Sequence, residues 1–280
     1  MYDKLVEKIA EAGIVNHPPK EGDYYSKDGL LMCGKCNTPK QKRMILLEKP
    51  MVVTIPCKCE KEAADKEEAA KKRAERYDKV MDLKRSSIVD DKFLDSNFTT
   101  CVICKDNVSQ IQLCKRYAER FDELYKKNQG LLLYGNVGTG KSHIAACICN
   151  RLMHRLTPVF ATSFVKLLEE NPKNVDVPYI ISKMGKADLV LFDDLGAERN
   201  TSYALEMVYN LIDSRYRQRK PMIVTTNLSI DEMQNVQDIR YRRIYDRVLE
   251  CCYPVLFDGQ SFRMKEAAKR FNEMEKLLGG

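Results

Sequence analysis

A glycine-rich octapeptide at residues 135–142 carries the strongest chemical signal in the sequence. It fits the phosphate-loop pattern GxxxxGK[ST] at every specified position, and the backbone N–H groups of such a loop curl around a phosphate chain. We expect Lys141 to reach the β- and γ-phosphates and Ser142 to hold Mg²⁺. The residues predicted to contact the nucleotide are Gly135, Asn136, Val137, Gly138, Thr139, Gly140, Lys141 and Ser142. An apolar run precedes the loop and an apolar helix face follows it, as this motif requires.

Two adjacent carboxylates, Asp193 and Asp194, lie about fifty residues beyond the phosphate loop. They end a run of four apolar residues, which is typical of a buried parallel strand. In a nucleotide site the first carboxylate holds Mg²⁺, directly or through water and Ser142, and the second orients an attacking water. The alternative is that the pair only caps the following turn.

Four cysteines in the N-terminal part have the spacing of metal ligands. Cys33 and Cys36 form one close pair, and Cys57 and Cys59 form another about twenty residues later. Residues 43–55, between the pairs, have the pattern of a β-hairpin with a turn at 48–50. Four thiolates can surround Zn²⁺ tetrahedrally, so we predict a structural zinc ribbon, although the Cys-x-Cys spacing of the second pair is uncommon. The alternative is four unrelated reduced cysteines.

The elements that must position the nucleotide residues alternate between strand and helix patterns. We predict strands at 131–134, 158–162, 187–196, 221–227 and 255–257, and helices at 109–126, 198–218 and from 261 onward. This alternation is typical of an α/β fold with a central parallel sheet. Asn227 ends the fourth strand, where such a sheet usually presents polar groups to a ligand. A further Cys-x-x-Cys at 101–104 has no matching thiol pair nearby, and we expect core or loop cysteines there.

The whole chain has 280 residues and a formal net charge of +7. No apolar run is long enough to cross a bilayer and no signal-peptide core is present, so we expect a cytoplasmic protein without membrane contact. We predict an N-terminal helix at residues 1–16. The predicted domains are an N-terminal zinc-binding domain at 1–60, a charged helical connector at 61–92 and a nucleotide-binding domain at 93–280.

The order of these motifs resembles that of an AAA+ ATPase, and residues 93–265 resemble the DnaC/DnaI class of helicase loaders and the IstB transposition ATPases. The resemblance rests on residues 135–142, 191–198, 224–228 and 243–247. It implies an AAA+ P-loop fold with a central parallel sheet and a minimal helical lid. The cysteine-rich N-terminal region is similar to the zinc-bearing, helicase-binding region of the DnaI branch.

The resemblance also implies roles for individual residues. Asn227 falls on sensor 1, Arg247 on the arginine finger that one subunit inserts into its neighbour's site, and Arg263 on sensor 2. Phe98 falls near the segment that packs on the adenine. Without the resemblance, Asn227 could simply end a strand and Arg263 could pair with a surface carboxylate. Many AAA+ enzymes have Glu where this chain has Asp194, so we expect slow, assembly-dependent ATP hydrolysis.

The function implied by the resemblance is that of an ATP-dependent loader of a DnaB-type replicative helicase. The chain would self-assemble with ATP and bind single-stranded DNA through arginines such as Arg217, Arg219 and Arg242, mainly by backbone contacts. One alternative is an IstB-like helper of a transposase on duplex DNA. A small-molecule kinase and a non-catalytic, ATP-binding adaptor are further alternatives.

Overall fold

The computed structural model describes residues 19–279, except 47–48, 91–92, 94, 105–106, 170–174 and 198–200. The helix predicted at 1–16 lies outside the described residues. The chain divides into two compact units, Met1–Glu75 and Arg76–Gly280. This boundary falls inside the region predicted to be a charged connector.

The first unit contains two small antiparallel sheets. Strands β1 (Tyr24–Tyr25) and β2 (Leu31–Met32) form one pair. Strands β3 (Gln41–Leu46) and β4 (Lys49–Thr54) form the predicted hairpin, in which Gln41 lies opposite Thr54. The turn predicted at 48–50 is wrong in its bounds, because residues 49 and 50 already belong to β4, in which Pro50 pairs with Ile45. Helix α1 (Lys58–Ser86) follows and confirms the helix predicted from alternating charges.

The second unit is built on a five-stranded parallel sheet. Its spatial order is β6-β7-β8-β5-β9, so the strand before the phosphate loop has a parallel neighbour on each side. The strands are β5 (Gly130–Gly135), β6 (Val159–Ser163), β7 (Leu189–Leu195), β8 (Met222–Thr226) and β9 (Cys252–Phe257). All five predicted strands are confirmed, and the last begins earlier than predicted because Cys252 already pairs with Gly130.

Both faces of this sheet are covered by apolar side chains. In β5, Leu132 belongs to one buried cluster, whereas Leu131 and Leu133 belong to the other. Successive side chains of a strand point to opposite faces, so a continuous apolar run lets one strand contribute to both clusters. The polar residues that follow the strands are therefore left at the edge where the strands end.

Nine helices are described in the second unit after α1. They are α2 (Val108–Glu119), α3 (Phe121–Lys126), α4 (Lys141–His154), α5 (Phe164–Glu169), α6 (Val177–Lys186), α7 (Ser202–Arg217), α8 (Ile230–Gln234), α9 (Ile239–Cys251) and α10 (Phe262–Leu278). None of the described helices combines the length and apolar character needed to cross a membrane.

The single helix predicted at 109–126 is wrong in one respect, because the chain breaks it at Arg120 into α2 and α3. The guanidinium of Arg155 donates to the carbonyl oxygens of Ala118 (2.9 Å) and Glu119 (3.2 Å). Occupying these carbonyls stabilises an early helix end, which a local sequence pattern does not reveal.

Arg215 is fully buried and connects three elements of the second unit. Its guanidinium donates to the carbonyl oxygens of Met184 (3.0 Å), Asp188 (2.7 Å) and Pro221 (2.8 Å). Burial lowers the pKa of Arg215 to about 10, which still leaves it charged at neutral pH. Unlike the exposed Arg217 at the end of the same helix, α7, Arg215 therefore does not face solvent. It links the chain just before β7 to the chain just before β8.

Candidate functional site

The phosphate loop connects β5 to α4 in a conformation that its glycines permit. Gly135 and Gly138 have φ values of 116° and 81°. A Cβ atom on Gly138 would lie 2.1 Å from Oγ of Ser261, and one on Gly135 would lie 2.5 Å from the carbonyl oxygen of Phe257. Only glycine fits such a close approach at positive φ. The loop is thus shaped by its neighbours as well as by its own sequence.

The chain that follows β9 holds this loop in place. The backbone N–H of Asn136 donates to the carbonyl oxygen of Phe257 (2.9 Å), and the Asn136 side chain donates to that of Asp258 (3.0 Å). In return, the N–H of Phe262 donates to the carbonyl oxygen of Gly138 (2.9 Å). These contacts bring Arg263, in the first turn of α10, to the phosphate loop although it lies far away in sequence.

Lys141 lies at the start of α4 and is nearly buried. Its ammonium group donates to the carbonyl oxygens of Gly135 (2.9 Å) and Asn136 (2.6 Å) and to Oδ1 of Asn227 (2.8 Å). Burial lowers the pKa of Lys141, and the nearby carboxylates of Asp194 and Asp193 oppose this effect. The structure thus brings the predicted lysine and the predicted sensor residue into direct contact.

The two carboxylates at the end of β7 are held differently. Asp193 is buried, accepts a hydrogen bond from Oγ1 of Thr225 (2.7 Å) and lies near the side chain of Ser142. Burial raises its pKa, and the charge of Asp194 raises it further. The two residues predicted to hold Mg²⁺, Ser142 and Asp193, therefore lie side by side. Hydroxyl and carboxylate oxygens are suitable ligands for this hard cation.

Asp194 occupies a left-handed backbone conformation with φ of 59°, where the pairing of β7 with β8 shifts register. Its backbone N–H donates to Oγ1 of Thr225 (2.9 Å), the atom that also contacts Asp193. A single threonine thus supports both carboxylates. The sequence analysis did not identify Thr225, and the available signal was the pair of hydroxyls, Thr225 and Thr226, that ends an otherwise apolar, buried strand just before Asn227.

A cavity of about 470 Å³ lies beside these residues, and Asp193 and Thr225 are not among those that line it. Its walls are formed by Phe93, Val137, Gly138, Gly140, Lys141, Ser142, His143, Asp194, Ala197, Asn227, Phe262, Arg263 and Glu266. The predicted residues Lys141, Ser142, Asp194, Asn227 and Arg263 therefore share one cavity. Phe98 instead packs against the apolar core beside α4, and Phe93 is the aromatic residue of this segment that lines the cavity.

Arg247 does not line this cavity and lies on α9. Its guanidinium forms an ion pair with Asp213 (2.6 Å), contacts the hydroxyl of Tyr209 (3.2 Å) and lies 4.8 Å from the centre of the Tyr209 ring. A residue that acts in the nucleotide site of a neighbouring subunit is expected to lie outside the cavity of its own subunit. The arginine-finger role of Arg247 stays a prediction.

The four predicted metal ligands of the first unit are brought together. The Sγ atoms of Cys33, Cys36, Cys57 and Cys59 all lie within 4.8 Å of one another. The Cys33 and Cys59 sulfurs are 3.6 Å apart, and those of Cys57 and Cys59 are 3.3 Å apart. Sulfurs bound tetrahedrally at about 2.3 Å from zinc lie about 3.8 Å apart, so the donor set and its spacing fit Zn²⁺. Whether the cluster binds zinc stays a prediction.

The thiols of this cluster differ in acidity. The hydroxyl of Thr38 contacts Sγ of Cys36 at 3.0 Å and helps to lower the pKa of that thiol to about 5. Burial raises the pKa of Cys57 to about 12. Because zinc binds thiolates, a lowered thiol pKa favours metal binding at neutral pH, and a thiol whose pKa is raised must release its proton as the metal binds.

Comparisons with known proteins place the second unit among nucleotide-binding proteins. A family model described as IstB-like ATP binding protein matches residues 64–270, about three quarters of the chain. The replicative helicase loader DnaC of Escherichia coli K12 is 24% identical over 176 residues, which cover 61% of this chain and 69% of that protein. The replicative helicase loader DnaI of Bacillus subtilis is 23% identical over 207 residues, which cover 69% of this chain and 66% of that protein.

The solved structures agree in fold. A crystal structure of DnaI covers 64% of this chain and 98% of that chain, with a TM-score of 0.52 and 19% sequence identity. At this level of identity the match shows the fold alone. It confirms the predicted AAA+ fold with a central parallel sheet.

Proposed function

This chain belongs to the IstB-like ATP-binding protein family, and we propose that within this family it is an ATP-dependent loader of a DnaB-type replicative helicase. One combined observation carries the proposal. The predicted ATP-site residues Lys141, Ser142, Asp194, Asn227 and Arg263 line one cavity in a unit similar to two named helicase loaders, and a separate unit of the same chain holds four clustered thiols. The predicted domains, at 1–60, 61–92 and 93–280, would then dock, connect and bind ATP, respectively.

In the ATP site, the phosphate loop and Lys141 would bind the β- and γ-phosphates. Ser142 and Asp193 would hold Mg²⁺, which neutralises phosphate charge. Asp194 would orient the attacking water, and Asn227, which contacts the lysine ammonium, would help to position the γ-phosphate. The side chain of Asp194 is one methylene shorter than the glutamate at this position in many AAA+ enzymes, so we propose slow hydrolysis that serves as a conformational switch.

Assembly would complete the site. In this proposal Arg247 of one subunit stabilises the charge that develops on the γ-phosphate in the neighbouring subunit, and Arg263 acts from the same chain as the phosphate loop. Single-stranded DNA would contact the exposed arginines Arg217, Arg219 and Arg242. Such contacts neutralise phosphates, so DNA binding should weaken steeply as salt increases.

The first unit would dock on the helicase. In the described part of this unit most of the surface residues are charged or polar, and the small sheets have little apolar core, so a bound zinc ion would supply much of its folding free energy. Loss of a zinc ligand should therefore abolish docking while leaving the nucleotide cavity intact.

The proposal is tested by mixing the full chain with the replicative helicase from its source, with ATP and Mg²⁺, and measuring molar mass by light scattering after size exclusion. We expect a complex with the wild-type chain and none with Cys36→Ser. The matched control is Cys104→Ser, because Cys104 is another partly buried cysteine but does not belong to the four-thiol cluster. No complex with the wild-type chain would overturn the loader assignment.

The same samples test the rival functions. The resemblance to the IstB transposition ATPases, together with the IstB-like family match, favours a second candidate, an ATP-dependent helper of a transposase. That candidate predicts particles that grow on duplex DNA with ATP and ignore the helicase. A small-molecule kinase would transfer phosphate without assembling, and a non-catalytic adaptor would bind the helicase equally well with or without ATP turnover.

A further inference from the structure

We propose that Cys101, His143 and Cys147 form a second zinc site, located beside the nucleotide cavity. One ligand atom from each of the three side chains lies within 4.8 Å of the other two. The sulfurs of Cys101 and Cys147 are 3.6 Å apart. In the sequence, the cysteine nearest to Cys101 is Cys104. In the structure, the potential metal ligands beside Cys101 are instead His143 and Cys147 of α4.

The geometry of α4 explains this arrangement. His143 and Cys147 are four residues apart, so they lie on the same face of the helix, one turn above the other. Cys101 approaches this face from the segment before α2. Two thiolates and an imidazole are a borderline-soft donor set that suits Zn²⁺, and the sulfur separation is close to the roughly 3.8 Å expected for tetrahedral coordination. Three protein ligands would leave the fourth position for water or another small ligand.

Neighbouring polar groups restrain these ligands. Oγ of Ser96 lies 3.2 Å from Nδ1 of His143, and Ser96 itself is buried. The side chain of Asn150 donates to the carbonyl oxygens of Ser96 (2.7 Å) and Phe93 (2.9 Å). Hydrogen bonds that fix the orientation of a ligating histidine and its supporting residues are a regular feature of metal sites.

The position of the site suggests a structural role next to the nucleotide. His143 directly follows Ser142, and both His143 and Phe93 line the nucleotide cavity. A metal ion bound by Cys101 and α4 would therefore fasten the segment that carries Phe93 to the helix that begins the phosphate site. This inference rests on the cluster itself and does not depend on whether the client of the ATPase is a helicase.

The test is the zinc content of the full chain, purified without chelators and measured by inductively coupled plasma mass spectrometry. For a four-thiol site plus this site we expect about two zinc ions in the wild-type chain and about one in Cys101→Ser. Cys104→Ser is the matched control, because Cys104 lies in the same segment but outside the cluster, and it should retain the wild-type content. Cys36→Ser should lose the other ion, which separates the two sites.

Cobalt substitution gives a second readout. The difference spectrum between the wild-type chain and Cys101→Ser should contain the thiolate-to-cobalt charge-transfer band of this site, and the difference between the wild-type chain and Cys104→Ser should not. If Cys101→Ser does not fold, as judged by circular dichroism, His143→Asn replaces it in the zinc measurement, where it should also contain about one zinc ion.

Equal zinc content and equal cobalt spectra in the wild-type chain and the folded cluster variant would overturn the proposal. A disulfide between Cys101 and Cys147 in the freshly purified wild-type chain, detected by mass spectrometry, would also overturn it. Loss of zinc in Cys101→Ser but not in Cys36→Ser would retain this site and reject the four-thiol one.

Discussion

Thr225 is the residue whose replacement tests most directly how the structure builds the ATP site. Its hydroxyl donates to Oδ1 of Asp193 (2.7 Å) and accepts from the backbone N–H of Asp194 (2.9 Å). Thr225→Val keeps the β-branched shape in a fully buried position but removes both hydrogen bonds. We expect the Asp193 carboxylate and the left-handed turn at Asp194 to lose their common support.

The expected loss of hydrolysis rate in Thr225→Val follows from the hydrogen bond that Thr225 donates to the Asp193 carboxylate. A hydrogen bond to a charged group contributes about 1.5–3 kcal/mol. If this amount is lost only in the transition state, at about 1.4 kcal/mol per tenfold change, hydrolysis should slow by about 10- to 150-fold. ATP affinity should change much less, because the contacts of the phosphate loop and Lys141 stay intact.

The neighbouring residue provides a matched control. Thr226 is also fully buried in β8, but its hydroxyl donates to the carbonyl oxygen of Leu195 (2.6 Å) and accepts from the N–H of Leu228 (3.1 Å). Thr226→Val should lower the melting temperature as Thr225→Val does, because each variant loses two hydrogen bonds. It should leave the hydrolysis rate within about threefold of the wild-type value, because it touches neither carboxylate.

The assay combines three measurements on each variant: steady-state ATP hydrolysis at saturating Mg²⁺ and ATP in the presence of single-stranded DNA, affinity for a fluorescent ATP analogue, and melting temperature. Equal hydrolysis rates for Thr225→Val and Thr226→Val would refute the claim that Thr225 positions the carboxylates.

Three further predictions concern the same site. Lys141→Ala should weaken ATP binding by at least about 100-fold, since two charge-assisted hydrogen bonds to phosphate contribute about 3 kcal/mol or more; titration calorimetry measures this, and unchanged affinity would contradict the assigned role. Arg247→Ala should leave ATP binding intact but abolish assembly-dependent hydrolysis, whereas Arg240→Ala, which removes an arginine paired with Asp238 at the start of the same helix, should not; equal hydrolysis rates for the two variants would exclude a finger role. Asp193→Asn should raise the melting temperature of the nucleotide-free chain at neutral pH while impairing Mg²⁺-dependent binding. Burial raises the pKa of Asp193 in the folded chain above its value in the unfolded chain, so ionisation of Asp193 destabilises the folded chain as pH rises between these two values. In melts at lower pH, near the ordinary Asp pKa, the difference in melting temperature between Asp193→Asn and the wild-type chain should therefore shrink. A difference in melting temperature that does not depend on pH would count against this account.

Local sequence patterns were enough to predict the elements and the motif that define this nucleotide-binding unit. Strands β5 to β8 were predictable because a parallel strand buried on both faces needs a continuous apolar run, and each run ends in polar or glycine residues. The phosphate loop was predictable because its chemistry depends on residue types at fixed spacing within eight positions. The charged helix α1 was predictable from opposite charges three and four residues apart.

Other features depended on contacts between residues far apart in the chain. Arg155 ends α2 by binding its carbonyl oxygens, Thr225 supports carboxylates on the neighbouring strand, and Phe93 rather than Phe98 reaches the cavity. Likewise, Cys101 meets Cys147 only because the segment before α2 packs on α4. A linear pattern records which side chains are buried and at what period, but which distant groups meet is decided by the packing of elements, since hydrogen bonds and metal ligation require atoms to come within a few ångströms in the folded chain.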